Sequence, residues 1–196
     1  ERPIKDSNRR VDLSAPPYLD SKIRGLQEKI SILAMLVLII PCLICYNWDM
    51  EQLINSLRTL LANNVSLAFK AHGYHWNVES DDFEQMHSFF GKIYDDYNGA
   101  TDEYAEWIRM LKSYSPYTLT DFFDLSTVGN PTIVGDPQPM LVDLYSEIET
   151  HIAALVQAGK EANTLNEFGL ANFLADRQTA SQKWCWQIRA SIEVED

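Results

Sequence analysis

At 196 residues with 46% apolar content, the chain is long enough to bury a proper core, most simply as one domain plus an appendage. Its 16 basic residues against 28 acidic ones give a net charge of −12, which argues against mechanisms that spread positive charge along a nucleic-acid backbone and favours cations as partners. Three cysteines, Cys42, Cys45 and Cys185, make no disulfide framework, so a reducing, cytoplasmic setting is expected.

Residues 1–29 carry Arg2, Lys5, Arg9, Arg10, Lys22, Arg24 and Lys29 with no sustained period and read as disordered. Ile30 to Tyr46 (ISILAMLVLIIPCLICY) is an apolar run at the short end of what a membrane-spanning helix needs, and Pro41 interrupts it. The C-L-I-C spacing of Cys42 and Cys45 lies in this run without a second pair, so neither metal nor redox use is read into it. Residues 1–49 are expected to be a non-core N-terminal extension, such as translated upstream sequence, with the functional domain spanning 50–196 from Met50. A single-pass membrane anchor over residues 30–46 is the alternative; without it no membrane is involved. From Met50 onward nine basic residues face 22 acidic ones, a net of −13.

From Met50, Leu53, Leu57, Leu60, Leu61, Leu67, Ala68 and Ala71 follow the spacing of one helical face, and His75 continues the stripe. The chain breaks at Asn77–Asp82, where Asp81 or Asp82 is placed to cap a second helix reaching about Lys112. A proline- and glycine-containing stretch follows, with room for one short helix around Thr120–Leu125. A third helix is expected from about Pro139 to Asn163 and a fourth from about Asn166 to Ile192. Two helical hairpins joined by one long crossover make an all-α, ferritin-like four-helix bundle with a short helix in the crossover.

His75 and His87 flank the first turn, and Asp102 and Glu106 follow on the second helix. His87 and Asp102 are fifteen residues apart, about 22 Å along a straight helix, so they cannot hold one ion within one chain. They nevertheless share a face. A second copy laid antiparallel about a two-fold axis near Asp95 would bring the histidines of one chain to the carboxylates of the other, making two identical N,N,O,O sites suited to Fe(II) or Zn. The same axis would set Gly91 against the partner's Gly99. Glu84-Gln-Met-His87 is also an E-x-x-H, but the di-iron site inside a bundle needs a second such motif, and Glu147 with His151 is one residue too long. His72 and His151 have no supporting pattern and read as ordinary. Trp76 and Trp107, beside the candidate ligands, read first as packing residues.

The run His75-Trp76-Asn77, Phe83, His87, then Asp102 and Glu106, resembles the Dps family of mini-ferritins, a resemblance covering roughly Met50 to the end and including the aromatic-rich KWCWQIRASIE. It implies a homododecameric hollow shell built on two-fold dimers. It also implies a ferroxidase that oxidises Fe(II) with hydrogen peroxide or oxygen between subunits, with the ferric mineral stored inside. His75 and His87 would be iron ligands from one chain and Asp102 and Glu106 from the other. This sequence departs from the family at Gly91, where an aspartate is usual, and at Ser80, where a glycine is frequent. The first departure removes one carboxylate, for which Asp95, one turn on, is a candidate substitute. The competing reading is a structural or DNA-associated shell with a degraded site; DNA binding is expected to be weak or absent, given the acidic domain.

Overall fold

The computed structural model describes residues 17–192, and in its first helix the side chains of residues 17–23, 26–28 and 30–44 are outside what it describes. The disorder expected for residues 1–16, and the side chain of Cys42, therefore lie outside the described residues. The chain divides into two compact units, 1–45 and 46–196. The first helix, α1 (Pro17–Asn77), starts inside the stretch expected to be irregular and continues through Pro41. A proline is tolerated at a helix start because its amide would be unpaired there anyway, and helix-forming Leu, Gln, Glu and Lys residues follow Pro17 closely. Among the described residues no helix is long and apolar enough to cross a membrane.

In the second unit, residues 46–77 of α1 are followed by α2 (Phe83–Met110), α3 (Leu119–Leu125), α4 (Pro137–Thr164) and α5 (Phe168–Arg189). Contacts at Asn64–Tyr97 and His75–His87 show α2 returning antiparallel to α1. The chain then crosses over through α3 to the second hairpin, α4 and α5, which completes an all-α, ferritin-like bundle. Two helix ends differ from expectation. Lys112 and Asn166 adopt left-handed backbone conformations (φ 65° and 62°), which a helix cannot continue through, so α2 stops earlier and α5 starts later than periodicity suggests. Asp82 does occupy the cap position of α2, yet its side chain makes no capping hydrogen bond. The strongest cap is on the short α3, where Thr118 and Asp121 satisfy each other's backbone amides.

The core is built in two apolar halves. One gathers Leu53, Leu57, Leu61, Tyr104, Ile108, Leu155 and Leu170; the other gathers Leu67, Tyr74, Phe90, Ile93, Met140, Leu144 and Ile188. Between them lies a polar layer. Asn64 donates to the Tyr97 carbonyl (2.7 Å) and to Thr101 (3.0 Å), and the Tyr97 and Ser181 hydroxyls are 3.2 Å apart. The Tyr104 hydroxyl lies 3.5 Å from His151 Nε2. Arg177 grips Asp96 through both terminal nitrogens (3.1 and 3.0 Å), and the Trp184 indole donates to the same carboxylate (2.8 Å). Burial works against the Asp96 charge, but these donors hold its pKa below the usual carboxylate value. Asp96 thus serves its own bundle, whereas Asp95 beside it is exposed.

The crossover is fastened at several points. Asn63 accepts from the Thr127 amide (2.7 Å) and donates to its hydroxyl (2.9 Å). The Gly129 amide donates to Glu147 (3.0 Å). Near its end, Gly135, at φ +87°, donates to the Asn77 carbonyl (3.0 Å) and accepts from the Glu79 amide (2.7 Å), so the turn between α1 and α2 is tied to the start of α4.

Candidate metal centre

His75 and His87 meet across that turn. Their rings stack with centroids 3.5 Å apart, and each Nδ1 lies 2.7 Å from the other's backbone carbonyl. A carbonyl only accepts, so each Nδ1 carries its proton and donates, leaving both Nε2 lone pairs available in the neutral rings. This reciprocal lock is the arrangement that orients metal-binding imidazoles, with the non-ligating nitrogen held by a backbone oxygen. Both rings are half-buried, and Phe83 stacks on His87 at 5.0 Å. His75 sits at the edge of the apolar stripe; Tyr74 and Val78, both buried, are what continue it inward.

Gly91 explains part of this packing. It is buried, and a Cβ built there would lie 3.4 Å from His75 Nδ1 and 3.9 Å from the Tyr94 ring. The face of α2 at this point is therefore occupied by an imidazole of the same chain. Nothing comes within 4 Å of a Cβ at the exposed Gly99. The intrachain packing gives Gly91 a role that needs no partner glycine.

Asp102 and Glu106 are exposed on α2. Because α2 is unbroken from Phe83 to Met110, they remain some four turns away from His87, about 22 Å for Asp102. Among the described residues no group of three or more His, Cys, Asp or Glu side chains is gathered to hold an ion. The intrachain di-iron alternative finds no support: Glu84 is exposed, Glu147 is engaged by Lys70 (3.1 Å) and by Gly129, and His151 is fully buried. Burial, with Arg177 nearby, lowers the His151 pKa to about 3 and keeps it neutral.

Sequence reasoning missed two features. Lys70 is fully buried, bonded to Asp143 (2.7 Å) and Glu147, while Tyr74 donates to the same Asp143 oxygen (2.5 Å). The signal was a lysine inside the apolar stripe between Leu67 and Ala71. The second is His72, treated as ordinary, which lies between the Trp76 and Tyr94 rings at 4.1 Å from each. Trp107 packs over Gly169, as a packing residue should. Of the other cysteines, Cys45 is exposed, whereas burial and a hydrogen bond to Glu149 push the Cys185 thiol up to about 12, away from reactivity.

The model of the ferritin-like domain family matches residues 54–194. The DNA protection during starvation protein of Helicobacter pylori is 28% identical over 140 residues, covering 69% of this chain and 95% of that protein. An uncharacterised protein of Haemophilus influenzae is 26% identical over 144 residues, 73% and 89% of the two chains. Among solved structures, Dps from Thermosynechococcus elongatus superposes with a TM-score of 0.74 at 21% identity, covering 78% of this chain and 97% of that one. Dps from Vibrio cholerae O1, a ferritin-like diiron-carboxylate protein, gives 0.71 at 23%, covering 74% and 91%. The family match over most of the bundle, the Dps-named relatives and the shared fold agree: the chain belongs to the ferritin-like domain family, among its Dps proteins.

Proposed function

We propose that this protein stores and detoxifies iron, oxidising Fe(II) at sites shared between two-fold-related copies and holding the ferric product inside a hollow homododecameric shell. The observation that carries this reading is the reciprocal His75–His87 lock, which uses both Nδ1 atoms and leaves both Nε2 atoms without a hydrogen bond among the described residues. Asp102 and Glu106 of a neighbouring copy would supply two negative charges, matching one divalent cation. The imidazoles bind the borderline ferrous ion and the carboxylates favour the harder ferric ion that forms. Peroxide takes two electrons, so two ferrous ions are consumed per peroxide, and hydrolysis of the ferric product releases protons. With oxygen as oxidant the ferrous demand is larger. The domain carrying this activity is residues 50–196, consistent with the span of the family match. Its net charge of −13 favours cation uptake and opposes binding to DNA phosphates.

His87→Ala and the pair Asp102→Asn with Glu106→Gln test the reading together. Each should lower the peroxide-dependent Fe(II) oxidation rate by at least tenfold while the assembly keeps its sedimentation coefficient. Mixing the two inactive variants under conditions that exchange subunits should restore part of the activity, because one mixed interface then combines intact histidines with intact carboxylates. Full activity in either variant, or no recovery after demonstrated exchange, would sink the intersubunit site.

A further inference from the structure

We propose that His72 and His75 form a cation-capture position on α1, from which an ion passes through His75 to the proposed oxidation site; this rests on the iron-handling reading above. His72 precedes His75 by three residues, so both project from one side of the helix. Their ring centroids are 5.9 Å apart with the planes inclined at 49°. A metal–nitrogen bond of about 2.0–2.1 Å places two imidazoles on one ion at a centroid separation of roughly 5–6 Å, the range in which this pair lies.

Second, His72 is held by rings alone. Tyr94 stacks on it at 4.1 Å and 27°, Trp76 lies against it at 4.1 Å, and no hydrogen bond ties up either of its nitrogens among the described residues. Its lone pair is free. Tyr94 also stands edge-on to His75 at 5.3 Å, so one phenol ring braces both imidazoles. Gly91 keeps α2 from introducing a side chain beside them.

The logic of transfer follows from His75. Its Nδ1 donates to the His87 carbonyl, so only Nε2 can ligate, and a single lone pair serves one ion at a time. Sharing an ion with His72 and sharing it with the carboxylates of a neighbouring copy are therefore alternatives for His75, whose stack with His87 at 3.5 Å is too close for those two rings to share an ion in the same way. Moving between them exchanges the His72 imidazole for a carboxylate while His75 stays bound. The capture position holds nitrogen donors of this chain only, which suits borderline divalent cations such as Fe(II), Co(II) and Zn(II).

Co(II) is the probe, because its visible absorption reports ligand number and type and it is not oxidised in air under these conditions. The full-length protein carrying Asp102→Asn and Glu106→Gln, which lacks the carboxylates of the proposed oxidation site, should still bind one Co(II) per chain. Adding His72→Gln to it should weaken that binding at least fivefold and change the absorption band. Adding His87→Gln instead should leave most of the affinity. Equal affinity and spectrum with and without His72 would overturn the capture position. Full Fe(II) oxidation in the Asp102→Asn, Glu106→Gln protein with these Co(II) results intact would sink the ferroxidase site alone; lost oxidation with Co(II) binding indifferent to His72 would sink the capture position alone. For the otherwise unmutated chain, stopped-flow Fe(II) oxidation at limiting iron should slow two- to fivefold in His72→Gln, with the saturated rate retained.

Discussion

His151 ties stability to pH in a way that its burial makes quantitative. The imidazole is fully buried in the polar layer, with Tyr97 and Tyr104 presenting their ring edges to it and Arg177 adding positive charge nearby. Its folded pKa of about 3 lies below the ordinary value of 6.5 that the unfolded chain regains. Between those values the unfolded state binds a proton that the native state refuses, so stability rises with pH across the window and is complete above 6.5. Falling from pH 7.5 to 5.0 crosses about 1.5 units of it, and at 1.36 kcal/mol per unit the native state loses about 2 kcal/mol. His151→Leu removes the titrating group. Whatever it does to stability at one pH, the difference between pH 7.5 and 5.0 should shrink by about 2 kcal/mol relative to the unmutated protein. Urea unfolding at matched protein concentration measures both differences, and carboxylates common to the two proteins cancel. An unchanged pH difference would refute the claim that His151 is held neutral.

Lys70→Met should test the buried ion pairs: it leaves Asp143 and Glu147 without their cation and is expected to destabilise by about 3–5 kcal/mol, read from thermal or urea unfolding. Tyr74→Phe, which removes one hydrogen bond to Asp143, should lose only about 1–2 kcal/mol in the same assay. Thr118→Ala removes the accepting half of the α3 capping box and should cost about 1 kcal/mol locally, visible as faster amide exchange at Asp121 before any change in global unfolding. Gly91→Ala should gain up to about 1 kcal/mol of helix stability, since its methyl would meet His75 at 3.4 Å without displacing it; a lower melting temperature would show that the ring needs more room.

The bundle was legible because its signal is repeated: Leu53, Leu57, Leu60 and Leu61 are all buried, as their spacing requires, and the same holds for Leu141, Leu144 and Ile148 on α4. Periodicity could not place helix ends at Lys112 and Asn166, because a left-handed residue is a local backbone choice that leaves the apolar pattern unmarked. The histidine pair was legible from its position on either side of a short turn. Its lock was not, since each half is a side chain meeting a backbone carbonyl, and carbonyls are the same at every residue. The reason for Gly91 was equally hidden: the sequence shows that a side chain is missing, and only the structure shows the imidazole that lies there.

The polar layer also acts as a register key between the two hairpins. Asn64, Asp96, Tyr97 and Tyr104 come from α1 and α2, whereas His151, Arg177, Ser181 and Trp184 come from α4 and α5. Leucine surfaces alone would tolerate sliding, because one apolar turn resembles the next. Displacing the second hairpin by one turn, about 5.4 Å, would carry the Arg177 guanidinium out of reach of Asp96. A buried charge without its partner is among the least tolerable outcomes in folding. The same four helices therefore dock in one alignment, which fixes where α2 lies and with it the spacing that any copy across a two-fold axis would have to meet.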